Sequence, residues 1–244
     1  MTDSKPMWSL IQSAEEIDIG RYFEYDNDAI EMLSRWLYFL KTPSTKVLEV
    51  GAGNGFFTSI LLRINPKMEL ACLEPDAKFS AILKKRLGSK ANVIQRPIED
   101  SGISFNSYDA AITHIVIHNV PNPLEALSHM KNAVRSGGFV ITIEPLPIGR
   151  HYLPSRELEQ AFALLHEATL FLCRQRQLSL KIGNSVDPWR YNYPFLFEEV
   201  GLTFLQCHGW TSIFTLSDER YEFDELKKWI KMRHVFVTRS RKET

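Results

Sequence analysis

Cysteine is scarce. The chain holds three in 244 residues, Cys72, Cys173 and Cys207, an odd number at wide spacing. They fit buried thiols in a reducing compartment and argue against a disulfide framework or a zinc cluster. Excess charge is missing as well: basic and acidic side chains number 29 each, for a formal net charge of zero. A balanced chain leaves no global electrostatic footprint for nucleic acid or an anionic membrane surface. No apolar run reaches the roughly 18 residues of a membrane span. The N-terminal Met1-Thr2-Asp3-Ser4-Lys5-Pro6 has none of the basic and apolar design of a secretory signal. Internal repeats and low-complexity tracts are absent. These shortages lead to the expectation of a cytoplasmic protein with no membrane insertion, either one domain with a substantial core or one domain plus a lid.

What is present centres on Val47-Leu48-Glu49-Val50-Gly51-Ala52-Gly53-Asn54-Gly55, followed by Phe56-Phe57-Thr58-Ser59-Ile60-Leu61-Leu62. A short apolar run, three close glycines and a segment of helical spacing describe a buried parallel strand, a tight turn and a helix N-terminus. Glycine serves there because the turn needs angles that a Cβ forbids and because a ligand must approach the main chain. The helix N-terminus then favours a polar or anionic ligand group. A dinucleotide fingerprint wants Gly-x-Gly-x-x-Gly. Here the third glycine, Gly55, comes one residue early and Phe56 stands in its place.

The stretch resembles the glycine motif of class I S-adenosylmethionine (SAM) dependent methyltransferases, hydrophobic-Leu-Asp/Glu-x-Gly-x-Gly-x-Gly, which Val47 through Gly55 match at every defined position. The resemblance covers residues 45–145 by motif and the remainder by element order. It implies an α/β fold: a Rossmann-like, doubly wound, mostly parallel seven-stranded sheet with an antiparallel last strand, and a helical insertion after strand five as a substrate lid. It further implies a single domain made of N-terminal lid helices (1–44), a SAM-binding core (45–145), the insertion (146–200) and a closing strand-helix-strand (201–244).

Along the chain, Asp28 and Glu31 form a capping pair ahead of Ala29, Ile30, Leu33, Trp36, Leu37 and Leu40, which repeat at helical period. Tyr22 lies in the lid and is a substrate candidate there. The helix after the glycine loop runs to Ile64 and stops before Pro66. Glu69–Leu73 is a second strand, with Glu74-Pro75 at its exit and Asp76 as the next helix cap. A carboxylate about twenty residues past the glycines is placed to accept hydrogen bonds from two ribose hydroxyls. Asn92–Gln95 is a third strand. The family often has an acidic adenine-reading residue just beyond it. Pro97 occupies that position, which leaves the Ile98 backbone or Glu99 as the adenine contact.

Tyr108–Val120 resembles the fourth strand and its exit, with Thr113 and His114 near the methyl-donor sulfur. Asn122, Pro123 and Glu125 start a helix carrying Leu124, Leu127, Met130 and Val134, and Gly137-Gly138 stop it. Phe139–Ile143 is a fifth strand with Glu144 at its exit. A lid helix from Ser155 through Leu172, a short helix over 193–200, a strand over 203–208, a helix from Ser217 and a last strand over 235–238 complete the order.

The resemblance makes Glu49, Gly51, Ala52, Gly53, Asn54, Gly55, Glu74, Pro75, Ile98, Glu99, Thr113 and His114 the cofactor-binding set. His114 and Glu144 are the catalytic candidates. Tyr22, His118, His151, His166 and Trp189 are the substrate candidates. Methyl transfer from a sulfonium needs alignment and exclusion of water above all, and a base only where the acceptor must lose a proton. The His114/His118 spacing has no third metal ligand, so no metal is expected.

The Asn/Asp-Pro-Pro-aromatic motif of amino-group methylation is missing, and no cysteine stands where a pyrimidine-carbon nucleophile would. The reading is a methyltransferase using SAM, with S-adenosylhomocysteine as product, acting at oxygen or nitrogen of a small organic molecule as a monomer or homodimer. The alternatives are a protein or peptide methyltransferase and a catalytically weak SAM-binding partner subunit.

Overall fold

The computed structural model describes residues 8–10, 12–120, 122–144 and 193–208. Five strands form one parallel sheet: β1 (Lys46–Val50), β2 (Glu69–Leu73), β3 (Asn92–Ile94), β4 (Tyr108–His114) and β5 (Val134–Ile143). Their order is β3-β2-β1-β4-β5. The order reverses between β1 and β4, which is where an open α/β sheet leaves a crevice at its strand exits.

The central strands are buried on both faces. Val47, Leu48, Glu49 and Val50 of β1 are all covered, as near-continuous apolar runs require in a parallel sheet. On one face Val47, Leu70, Cys72, Ala110 and Ile112 meet α2 (Asn27–Trp36), α3 (Phe56–Ile64) and α4 (Ala77–Leu87) through Leu33, Phe57, Leu61, Leu83 and Leu87. On the other face Leu48, Leu73 and Ala111 meet α5 (Pro123–Ala133) through Ala126, Leu127 and Met130. Each fully buried Leu contributes roughly 2 kcal/mol of apolar transfer free energy. A short helix, α6 (Tyr193–Glu199), rests on α5 and places Leu196, Phe197 and Val200 against the same core.

The helix ends follow their local chemistry. Asp76 accepts from the Lys78 and Phe79 amides at the start of α4, and Asn122 accepts from Glu125 at the start of α5 with Pro123 in the first turn. The mixed N-terminal segment contains α1 (Ala14–Glu24), opened by a reciprocal capping box of Ser13 and Glu16.

Several expectations need correction. The cap of α2 is Asp26, whose extended backbone lets its carboxylate accept from Ala29 at 2.9 Å; Asp28 already lies inside the first turn. The α5 helix ends at Ala133, and Val134 opens β5, so Gly137-Gly138 belong to a strand. A register shift between Tyr108 and Ala110 accommodates them. Residues 203–208 join no sheet among the described residues, and Cys207 is exposed there, unlike buried Cys72. Cys173, the lid helix and the closing elements over 217–238 lie outside the described residues. No helix among the described residues is long and apolar enough to cross a membrane.

A methyl group at Gly138 would come within 2.5 Å of the Asp109 carbonyl oxygen and 2.4 Å of Val134. Gly138→Ala is therefore expected to destabilise the fold by about 1–3 kcal/mol, because overpacking here pushes on backbone. Chemical denaturation of the two proteins checks it, and an unchanged midpoint would contradict the close approach.

Candidate cofactor and active site

The β1 exit is a turn of left-handed glycines. Gly51, Gly53 and Gly55 have φ of +72°, +58° and +85°, a region that side chains with a Cβ enter only under strain. The Gly51 and Ala52 amides donate to the Leu73 carbonyl at 2.8 and 3.0 Å, tying the turn to the end of β2. A Cβ on Gly53 would meet nothing within 4 Å, so this glycine keeps an open face. At Gly55 a Cβ would fall 2.7 Å from Leu83, so that glycine lets α3 sit close to α4.

Glu74 stands at the β2 exit, 5% exposed. Its two oxygens accept from the Gly53 amide at 2.6 Å and the Asp76 amide at 2.9 Å. Burial pushes its carboxyl up to about 7, against the opposing pull of those two amides. Glu49 lies deeper, 1% exposed, with the Cys72 thiol 3.7 Å from its Oε2. Burial pushes Glu49 up to about 8 and drives the Cys72 thiol up as well.

Asn54 does not face the crevice with its side chain. Its amide donates to the Ala14 carbonyl at 2.9 Å and to Asp18 at 2.8 Å, which makes it a tie to α1. Asp18 in turn holds Arg86 of α4 by two contacts of 3.0 and 2.5 Å, and the Ser9 amide donates to Asp76 at 2.8 Å. The N-terminal segment is thus pinned around the glycine loop. Pro75 is exposed at the β2 exit. The Ile98 side chain is buried against the α5 side of the core, which leaves its backbone for a ligand, and Glu99 is half-buried beside it.

The β4 exit carries the titratable groups. Thr113, the penultimate residue of β4, has a buried Oγ1 with no hydrogen-bond partner among the described residues. His114 shares a 2.7 Å hydrogen bond between its Nε2 and the Tyr25 hydroxyl, and its ring stacks on Phe57 at 4.5 Å. Burial, then the positive charges of Arg21 and His118, hold His114 well below the ordinary histidine value. His118 makes a different contact: its Nδ1 lies 2.5 Å from Glu144 Oε2. The other Glu144 oxygen accepts from the Val116 and Ile117 amides at 3.1 and 2.8 Å.

The sequence candidates therefore separate. Gly51, Gly53, Glu74, Thr113 and His114 gather at one end of the sheet, and His118 joins Glu144 there. Tyr22 is 45% exposed. The N-terminal aromatic that reaches a strand exit is buried Tyr25, which no linear signal marks because it meets a residue 89 positions away. His151, His166 and Trp189 lie outside the described residues.

Residues 48–142 match the family model described as a methyltransferase domain. This part of the chain is a methyltransferase domain of the class I, SAM-dependent type. The cofactor of such a domain is SAM, and the residues fit it. The left-handed Gly53 keeps an open face on the loop, and Glu74 presents a buried carboxylate at the end of β2.

The chain is 25% identical over 186 residues to a malonyl-[acyl-carrier protein] O-methyltransferase of Paenibacillus sp. (strain JDR-2), covering 74% of this chain and 63% of that protein. It is 31% identical over 123 residues to the highly reducing polyketide synthase PKS6 of Gibberella zeae, covering 45% of this chain and 5% of that one. The chain thus spans under two thirds of either relative. The solved structure of the CurJ carbon methyltransferase matches with a TM-score of 0.52 at 19% identity, covering 83% of this chain and 56% of that one, and agrees in fold.

Two outcomes are expected. S-adenosylhomocysteine raises the melting temperature while NAD does not, and Glu74→Ala loses most of the rise; an equal rise in the variant would remove Glu74 from the site. Glu49→Gln tests the buried acid. With a folded value raised from 4.5 to about 8, Glu49 keeps its full stabilising contribution below pH 4.5 and loses it progressively as pH rises to about 8. The melting temperature of Glu49→Gln relative to the parent should climb over that window and level off above it. A difference independent of pH would contradict the assignment.

Proposed function

We propose that this protein transfers a methyl group from SAM to a small organic or carrier-bound acyl acceptor, at an atom that must first lose a proton. The observation that carries this reading is the His118–Glu144 pair at the β4 and β5 exits. SAM supplies an activated methyl group on a sulfonium, which an aligned nucleophile displaces in line. Glu74 and the open face of Gly53 hold the nucleoside end, and the Ile98 backbone borders the adenine.

With Nδ1 of His118 donating to Glu144, the imidazole is fixed in the tautomer that takes up a proton at Nε2. The carboxylate beside it stabilises the imidazolium that results. On this reading His118, a substrate candidate in the sequence, acts as the base, with Glu144, a catalytic candidate beside His114, as its partner. Neutral His114, bound to Tyr25 and stacked on Phe57, forms an apolar wall of the crevice. The oxygen or nitrogen acceptor expected from the sequence widens to include an acidic carbon next to a carbonyl. The acyl-carrier protein named for the Paenibacillus relative supports a carrier-bound acyl acceptor.

A second reading draws on the Paenibacillus relative: transfer to a carboxylate, which is already a nucleophile and needs no base. Labelled SAM with two probes, a β-ketoacyl thioester and a malonyl thioester of N-acetylcysteamine, separates the two. Label is expected in the β-ketoacyl probe, and His118→Gln should lower that rate by about 10²- to 10⁴-fold, the usual contribution of a positioned base. Methylation of the malonyl carboxylate at a rate indifferent to His118→Gln would favour the second reading and overturn the first.

A further inference from the structure

We propose that Glu144 Oε1 is a positioning group for the cofactor: it clamps a strained turn that presses Val116 onto the first glycine of the loop. The inference rests on the SAM site argued above and adds a task for Glu144 that is separate from orienting His118.

The chain leaves β4 through Ile115, whose φ is +59°. A β-branched residue in the left-handed region is a genuine outlier, and it persists only where the surroundings hold it. Here they do. The Ile115 amide donates to the Ile143 carbonyl at 2.7 Å, and the Asn119 side-chain amide donates to the Ile115 carbonyl at 3.1 Å. The next two amides, of Val116 and Ile117, converge on the single oxygen Oε1 of Glu144. Successive amides turned to one side form a nest for an anion, and this nest is filled by the protein's own carboxylate, whose side chain is 3% exposed. Ile117 is fully buried in the core on the α5 side and anchors the far end of the turn.

What the clamp positions is Val116. A Cβ added to Gly51 would lie 2.5 Å from Val116 Cγ2 and 3.1 Å from Cγ1. The valine therefore rests directly on the Gly51 Cα and walls the glycine loop from the β4 side. Gly51 is fixed from its other side by donating to the Leu73 carbonyl at 2.8 Å. The cofactor loop is thus held between β2 and the Glu144-clamped turn. The two oxygens of one carboxylate divide the work: Oε1 shapes the loop and Oε2 holds the His118 ring.

The division is testable by calorimetry with S-adenosylhomocysteine on the full chain, a readout independent of turnover. Glu144→Gln keeps an oxygen for the Val116 and Ile117 amides, so its affinity should stay within about twofold of the parent. Its amide cannot act as a carboxylate toward His118, so the pH profile of turnover should shift. Glu144→Ala should weaken binding at least about tenfold, the factor given by losing one of the two buried charge-assisted hydrogen bonds to Oε1. Adding Ile115→Gly removes the strain the clamp opposes, so Ile115→Gly/Glu144→Ala should recover affinity without recovering turnover.

Val116→Gly, which leaves Glu144 in place, should weaken binding as well, and it keeps the question answerable if Glu144→Ala does not fold. Parent-like affinity in both Glu144→Ala and Val116→Gly would overturn the inference. No binding by the parent protein would instead overturn the SAM site itself.

Discussion

The end of β2 organises this site. The Leu73 carbonyl takes the Gly51 and Ala52 amides, and the carboxylate of the next residue, Glu74, takes the Gly53 amide. Three successive donors of the β1 exit are thereby held by two neighbouring residues of the adjacent strand. Left-handed glycines make the geometry accessible, and the parallel register, which sets Val50 against Leu73, brings the two exits side by side. Everything else attaches to that turn. The α3 helix starts from it, the α1 helix is tied to it through Asn54, and the β4 turn rests on it through Val116.

Burial then decides the chemistry of the charged groups. Burial raises both Glu49 and Glu74, and at Glu74, the less buried of the two, a pair of backbone amides pulls the other way by favouring the ionised form. His114 and His118 sit four residues apart and diverge for the same kind of reason. One is stacked on Phe57 and hydrogen-bonded to Tyr25, and the other is paired with a carboxylate.

Signals carried within a few residues were legible in the sequence. The glycine spacing, the strand-end carboxylate Glu74, the Asp76 cap and the Asn122-Pro123 start of α5 all depend on local backbone geometry. Less legible were features where two local solutions compete. Asp26 and Asp28 can both cap α2, and the extended backbone at Asp26 decides. Val134 continues the apolar stripe of α5, but a β-branched residue opposite Tyr108 pairs as strand. Least legible were contacts made only by the sheet order. Tyr25 with His114, His118 with Glu144, and Val116 on Gly51 join segments that neither periodicity nor spacing connects. The role of Asn54 was hidden for the same reason: its partner is a helix 36 residues upstream.

A crystal structure of the full chain with S-adenosylhomocysteine tests the central claim most directly. The ribose hydroxyls are expected on the Glu74 carboxylate and the homocysteine sulfur facing the His118–Glu144 pair, with room between them for one acceptor atom. Val116 is expected still seated on Gly51. A sulfur turned away from His118, or a nucleoside bound elsewhere than at Glu74, would contradict it.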